Sequence, residues 1–292
     1  MANILKAKGK IEELRARYHN AAVGKQALLQ LLAEAEVPEQ VYNSNAIENS
    51  TLSLEETEKI LLKMDLDRFI SERELFETKN LARVVAYIET KAKERELDFE
   101  TILLLHKMLI SNIRDDIAGR FRNAKEWVRV GNHVAPNPVE VEDRLQKVLT
   151  EYNADISSSI IKRIAKFHLG FEYTHPFVDG NGRIGRVLNN YLLIRGGYVP
   201  INIKFIERET YYDAFREFQT VGKTKIMEDI VARSLTNSYH KRLAYLEGKS
   251  IVDLAQHAKE HRLSHANLIN KAKRQTIEAF IEKGIWKLGT QK

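Results

Sequence analysis

The stretch that decides the fold runs from Ser157 to Arg195 and reads SSSIIKRIAKFHLGFEYTHPFVDGNGRIGRVLNNYLLIR. Its first half is helical in period: Ile160, Ile164, Phe167 and Phe171 step by four, three and four residues along one face. Its second half repeats the pattern, with Val187, Leu188, Tyr191, Leu192 and Ile194 as the buried set. The first helix is expected to end near Phe171. Between the two lies a dense polar loop, His175 to Arg186, so a helix–loop–helix presents this loop at the start of its second helix.

That position has chemical consequences. The first turn of a helix offers unpaired N–H groups and the positive end of its dipole, which together favour an anion. Gly180 and Gly182 allow close approach of a ligand to the backbone. Arg183 and Arg186, three apart, share a face of the first turn and can fork onto phosphate oxygens. Asp179 adds a hard oxygen ligand suited to Mg²⁺, which commonly takes one or two carboxylates plus substrate phosphates. His175 can take a proton from an attacking hydroxyl, and Pro176 holds it extended and marks the helix end. Each residue alone has an ordinary structural reading. Their conjunction at a helix start points to a magnesium–nucleotide phosphate site.

Outward from this loop the chain of 292 residues remains mostly helical, with Ala, Leu, Glu, Lys and Arg recurring and only five prolines. A helical pattern from about Ile4 to Ala35 is expected to stop near Pro38, and Gln40–Ile47 reads as a short helix ending at Asn49. Ser53 and Glu56 form a capping-box pattern that opens a new helix. Further helices are expected at about Asp67–Lys93, Phe99–Ile113, Val141–Asp155 and Ser157–Phe171. The exception is Glu126–Val134, rich in strand residues, with Gly131-Asn132 as hairpin punctuation and Pro136 and Pro138 closing it.

Hydrophobic residues make up 43%, enough for a sizeable core, and the absence of cysteine excludes disulfides and thiolate–metal sites. The N-terminal pattern reads as a helix rather than a signal peptide, and no apolar run is long enough for a bilayer. A soluble, cytoplasmic protein with no membrane partner is expected. The net charge of +6 permits a polyanion partner without requiring one.

The loop HPFVDGNGRIGR matches every fixed position of HPFx(D/E)GNGRxxR, the signature of the Fic (filamentation induced by cAMP) family, and the resemblance extends over roughly Tyr42 to Thr236. Gly119-Arg120-Phe121-Arg122 and the expected hairpin resemble the family's pre-flap and flap. The resemblance implies a mainly α fold: a Fic-type helical core with one β-hairpin flap. It also implies transfer of AMP from ATP to a Ser, Thr or Tyr hydroxyl of a target protein. In those terms His175 is the general base, Asp179 the Mg²⁺ ligand and Asn181 a phosphate contact. Gly180 and Gly182 line the anion hole, Arg183 and Arg186 hold the β- and γ-phosphates, and Phe177 anchors the loop. The phosphate-transferring Doc branch differs at the Gly-Asn-Gly positions.

A second segment, Ser44-Asn45-Ala46-Ile47-Glu48-Asn49, resembles the family's inhibitory motif (S/T)xxxE(G/N). Ser44 and Glu48 are four apart, on one helical face. The resemblance implies that Glu48 pairs with Arg186, displaces the γ-phosphate and holds the site inactive. Tyr212 and Gln219 match the family's adenine-side positions, although the family often has Asn at the latter, and core packing is the competing reading of the tyrosines. Gly222-Lys223-Thr224 is not a phosphate loop, because Glu217 stands where a glycine is required. His168 is expected to pack behind the motif rather than share a metal with His175.

Beyond a break near Glu247–Ser250 the balance shifts to eight Lys/Arg against four Asp/Glu in residues 250–292. A helix at Ile251–Lys259, a second at His265–Arg274 and two strands within Ile277–Leu288 suggest a small winged-helix-like module. Three regions follow: 1–95, helical with the inhibitory segment; 96–247, the catalytic core; and 248–292, the winged-helix-like module. The expected partners are ATP, a target protein and, through the last module, DNA or another protein, with self-association left open. Competing readings are removal of AMP by water, transfer of another nucleotide or phosphate-containing group, and a DNA-binding regulator with a relic Fic core.

Overall fold

The computed structural model describes residues 2–130 and 133–291. The fold is mainly helical, and by its internal contacts the chain divides into two units, Val37–Val231 and Met1–Glu36 with Ala232–Lys292.

The unit Val37–Val231 holds the loop. Its central pair is α7 (Ile160–Thr174) and α8 (Asn181–Arg195). Around them pack α4 (Glu72–Lys91), α5 (Phe99–Ile110), α6 (Val141–Ala154) and α9 (Arg208–Val221). The apolar faces read from sequence are the ones buried: Ile164, Phe167, Phe171, Leu188 and Tyr191 are all at most 1% exposed. Side-chain caps set the helix starts. Ser53 and Glu56 form the expected capping box of α3 (Leu54–Leu61), Ser71 caps α4, Asp98 caps α5 and Ser159 caps α7. The hairpin consists of β1 (Arg129–Val130) and β2 (His133–Val134), with Val130 opposite His133. Its expected turn, Gly131-Asn132, lies outside the described residues.

Three boundaries differ from the sequence reading. The N-terminal helical pattern breaks not at Pro38 but between α1 (Ala2–Ala22) and α2 (Gln26–Ile47), where Gly24 takes a φ of +73°. Pro38 sits inside α2. An internal proline costs about 3 kcal/mol, and complete burial of Val41 and Ile47 offsets it. The expected helix at Asp67 begins only at Glu72, after its Ser71 cap. Finally, α7 continues past Phe171 to Thr174, which brings the helix directly up to His175.

In the other unit, β3 (Ser250–Asp253), β5 (Ile285–Thr290) and β4 (Ala279–Glu282) form an antiparallel sheet in the order β3-β5-β4. Ser250–Asp253 is thus strand where a helix was expected to begin. Its partner is remote in sequence, and four residues carry too little periodicity to reveal it. The helices α10 (Leu254–Glu260) and α11 (His265–Lys273) follow, packing Leu254 and Ala272 against Ala279, Leu268, Ile277 and Trp286. Lys283 and Gly284 both have positive φ, 51° and 79°, which suits the tight turn between β4 and β5. Within the same unit the Glu36 carboxylate is buried on Arg242 and lies 3.4 Å from Lys241, which also reaches Glu282 at 2.7 Å.

Candidate active site

The loop between α7 and α8 is held by its own backbone and by three buried side chains. His175 takes a left-handed conformation, φ 49° and ψ 63°, not the extended one expected before Pro176, because its N–H closes α7 on the Phe171 carbonyl at 2.9 Å. Arg122 donates to the carbonyls of His175 at 2.8 Å, Thr174 at 3.2 Å and Pro136 at 2.5 Å, tying the end of α7 to the segment after the hairpin. Asn181 accepts from the Phe177 N–H at 2.9 Å and donates to the Phe177 carbonyl at 2.8 Å. Its side chain therefore staples the loop, leaving its backbone N–H as the group facing an anion at the helix start.

Phe177 is fully buried and stacks on His106, ring centroids 3.7 Å apart at 8°. The Gly119 N–H donates to His106 Nδ1 at 3.1 Å, so Nε2 carries the hydrogen and donates to the Asp179 carbonyl at 3.1 Å. Burial drives the His106 pKa down to about 4, keeping the ring neutral in this role. Nothing in the sequence marked His106, because its partners lie 13 and 73 residues away.

Gly180 opens α8 at a φ of +83°, a conformation that a side chain would strain. At Gly182 the constraint is a neighbour. A Cβ there would lie 2.1 Å from Glu48 Oε1, so the carboxylate just past the end of α2 rests directly on the first turn of α8. Glu48 also meets Arg186 Nη2 at 2.9 Å. Arg186 is 8% exposed and is surrounded: it donates to Ser44 Oγ at 3.0 Å, the Ser44 carbonyl at 2.8 Å and Tyr211 Oη at 3.1 Å. Tyr211 Oη in turn lies 2.8 Å from Nε2 of His168, which is fully buried behind the motif as expected. Asn49, at a φ of 70°, ends this part of the chain and accepts from Arg208 at 2.6 Å.

Arg183 points elsewhere. It pairs with Glu77 at 3.0 Å and Asp179 at 3.2 Å, while Arg73 reaches the other Asp179 oxygen at 2.7 Å. Burial acts to raise the Asp179 pKa, but Arg183 and Arg73 outweigh it and the carboxylate is held below its usual range. Arg73 and Glu77 were not singled out from sequence. Their i,i+4 spacing is common on solvated helices, and only the fold brings them to the loop.

Beside the loop is a cavity of about 490 Å³, lined among others by Glu48, Glu172, His175, Gly182, Tyr212 and Gln219. The structure thus brings the base candidate, the anion-facing glycine and both adenine-side candidates to one space. His175 Nδ1 lies 3.3 Å from the Glu172 carbonyl, which leaves Nε2 free, and burial lowers the ring's pKa to about 4.

The helix–loop–helix, with His175 at the end of α7 and Arg183 and Arg186 on α8, lies in the part of the chain that carries the family match. Residues 96–193 match the Fic/DOC family, and the chain carries a Fic domain. It is 34% identical over 179 residues to a protein adenylyltransferase Fic of Drosophila willistoni, covering 60% of this chain and 35% of that protein. A protein of the same name from Nematostella vectensis is 28% identical over 263 residues, covering 88% and 60%. The chain therefore spans about a third to three fifths of the length of these relatives. Among solved structures, Fic-1 (residues 134–508) of C. elegans aligns with a TM-score of 0.70 at 26% identity, covering 85% of this chain and 72% of that one. A Fic domain containing signaling protein from Bacteroides thetaiotaomicron has the same fold, with a TM-score of 0.73 at 21% identity over 82% and 97% of the two chains.

Proposed function

We propose that this protein transfers AMP from ATP to a Ser, Thr or Tyr hydroxyl of another protein, and that Glu48 holds the activity down. The observation that carries the proposal is the position of Glu48. Its carboxylate lies on Gly182 and Arg186, where an anion is favoured by the start of α8, at the mouth of a cavity that also contains His175. The relatives named protein adenylyltransferase Fic supply the reaction class.

In this reading the triphosphate takes the place of the Glu48 carboxylate, with Arg186 and Arg183 as its cationic contacts. The backbone N–H groups at Asn181 and Gly182 face its developing charge. His175 Nε2 accepts the proton of the target hydroxyl as that oxygen bonds to the α-phosphorus. The bond from the α-phosphorus to the bridging oxygen breaks, and pyrophosphate leaves. The adenine would lie toward Tyr212 and Gln219, which border the same cavity.

Asp179 suits a magnesium ion. Among the described residues no three His, Cys, Asp or Glu side chains converge as a metal site, and Mg²⁺ commonly needs only one or two carboxylates beside substrate phosphates. Bound there, the ion would neutralise phosphate charge. Arg73, which now holds one Asp179 oxygen, would have to release it.

No helix among the described residues is long and apolar enough to cross a membrane. A winged-helix-like role for residues 250–292, with DNA or protein as partner, rests on their strand–helix–helix–hairpin order and excess of basic residues.

The deciding experiment incubates the Glu48→Gly protein and Mg²⁺ with lysate and ATP labelled at either the α- or the γ-phosphate. Label on protein from the α position alone is expected. Label from the γ position would show phosphate transfer, and preferential labelling from another nucleotide would replace ATP as donor.

A further inference from the structure

Glu172 has no part in the chemistry above, yet its surroundings are unusual. It lies on the last turn of α7, three residues before His175, and borders the cavity. Its side chain is only 10% exposed, and its buried Oε1 has no hydrogen-bond partner. Room for that oxygen exists because residue 185 is glycine: a Cβ there would stand 2.3 Å from it. The other oxygen, Oε2, lies 3.9 Å from His175 Nδ1, the same nitrogen that faces the Glu172 carbonyl at 3.3 Å. One residue therefore presents both its carbonyl and its carboxyl group to the non-reacting side of the imidazole.

We propose that Glu172 is the positioning residue of His175: its carbonyl accepts from Nδ1–H, which keeps Nε2 free, and its carboxyl group balances the positive charge that appears on the ring when Nε2 accepts a proton. This rests on the reading of His175 as the base. An imidazole in so dry a place is a weak base, and an adjacent carboxylate is the physical means of strengthening it. The groups facing Glu172 are Glu48 from the turn after α2, Arg186 from α8, Tyr211 from α9 and His168 on its own helix. Arg122 and His133 face His175 from the hairpin side. Burial first, and Glu48 second, push the Glu172 pKa up to about 8, while Arg186 opposes them. With Glu48 seated the carboxyl is thus mostly protonated at neutral pH. Withdrawal of Glu48 removes one cause of that state and favours the carboxylate.

The test uses the full chain in a Glu48→Gly background, comparing Glu172 with Glu172→Gln, which keeps the size and removes the charge. Two quantities are read: the pH profile of AMP transfer with its kcat and ATP KM, and the ring pKa of His175 followed by NMR of labelled histidine. For Glu172→Gln a roughly tenfold lower kcat is expected, a fraction of the 10²–10⁴ that a general base supplies. ATP KM should stay within about twofold, and the rate should no longer rise through neutral pH as Glu172 ionises. The His175 ring pKa should fall. An unchanged ring pKa and pH profile would overturn the proposal, as would a loss confined to ATP KM, which would assign Glu172 to nucleotide binding. If the Glu48→Gly parent transfers no AMP, the functional reading fails, and the NMR titration still tests whether Glu172 supports His175.

Discussion

Glu48 Oε1 and Arg186 Nη2 are 2.9 Å apart, joining the turn after α2 to α8 across 138 residues of sequence. The pair is asymmetric. Arg186 is buried and has three other oxygen contacts, whereas the Glu48 side chain remains 35% exposed. An anion that displaces Glu48 therefore finds Arg186 already fixed in place, while Glu48 can turn toward water.

Glu48→Gly should raise AMP transfer by about tenfold or more, which requires a shift of only about 1.4 kcal/mol between the closed and open site. ATP binding measured by calorimetry should strengthen in parallel. Equal rates in the two proteins, with intact ATP binding, would remove Glu48 as the brake.

Ser44→Ala should have a smaller effect of the same sign. It deletes the 3.0 Å bond from Arg186 Nε while leaving the carbonyl contact at 2.8 Å. A loss of about 1 kcal/mol corresponds to a roughly fivefold shift toward the open site. Basal transfer should rise by up to that factor, and the same change in a Glu48→Gly background should have little effect.

Asp179→Ala should abolish Mg²⁺-dependent transfer and leave the fold intact, since the Asp179 side chain is part-exposed and the buried Arg183 keeps Glu77 as a partner. Circular dichroism would report the fold and a Mg²⁺ titration of the rate would report the metal. Activity near wild type would place the metal on another group.

The buried histidines predict an acid limit to stability. Burial lowers the pKa of His106 to about 4 from an ordinary 6.5. Between those values the unfolded chain binds more protons than the folded one, so stability rises with pH. It should be fully present above about pH 6.5 and decline as pH falls toward 4. The urea midpoint should show this slope, and His106→Gln should flatten it while lowering stability at every pH, because Phe177 loses its stacking partner. An unchanged slope would show that His106 does not titrate on unfolding.

The loop was legible because its parts are contiguous: two amphipathic helices frame it, and the dipole, glycine and arginine arguments need only its own residues. The pairing of Glu48 with Arg186, found at 2.9 Å, was expected from the resemblance of Ser44–Asn49 to the family's inhibitory motif; the four-residue spacing alone places Ser44 and Glu48 on one face and does not reach Arg186. What escaped was non-local. Arg73 and Glu77 are two ordinary helix charges until the fold sets them against Asp179 and Arg183. His106 lies in an apolar helix with no sign of the two backbone groups it joins. Within the loop itself, the bonding of the Asn181 side chain to both backbone groups of Phe177 depends on the geometry of the turn rather than on any spacing. Pro38 misplaced a boundary because local propensity says where a helix is costly, whereas burial of Val41 and Ile47 says where it forms.

The most direct test of the proposed function compares the full-length wild type, Glu48→Gly and Glu48→Gly/His175→Ala for label transferred from α-labelled ATP to protein. Low transfer, high transfer and a return to background, in that order, are expected. Undiminished labelling in the double variant would contradict the assignment of His175 as the base, and with it the chemistry proposed for this site.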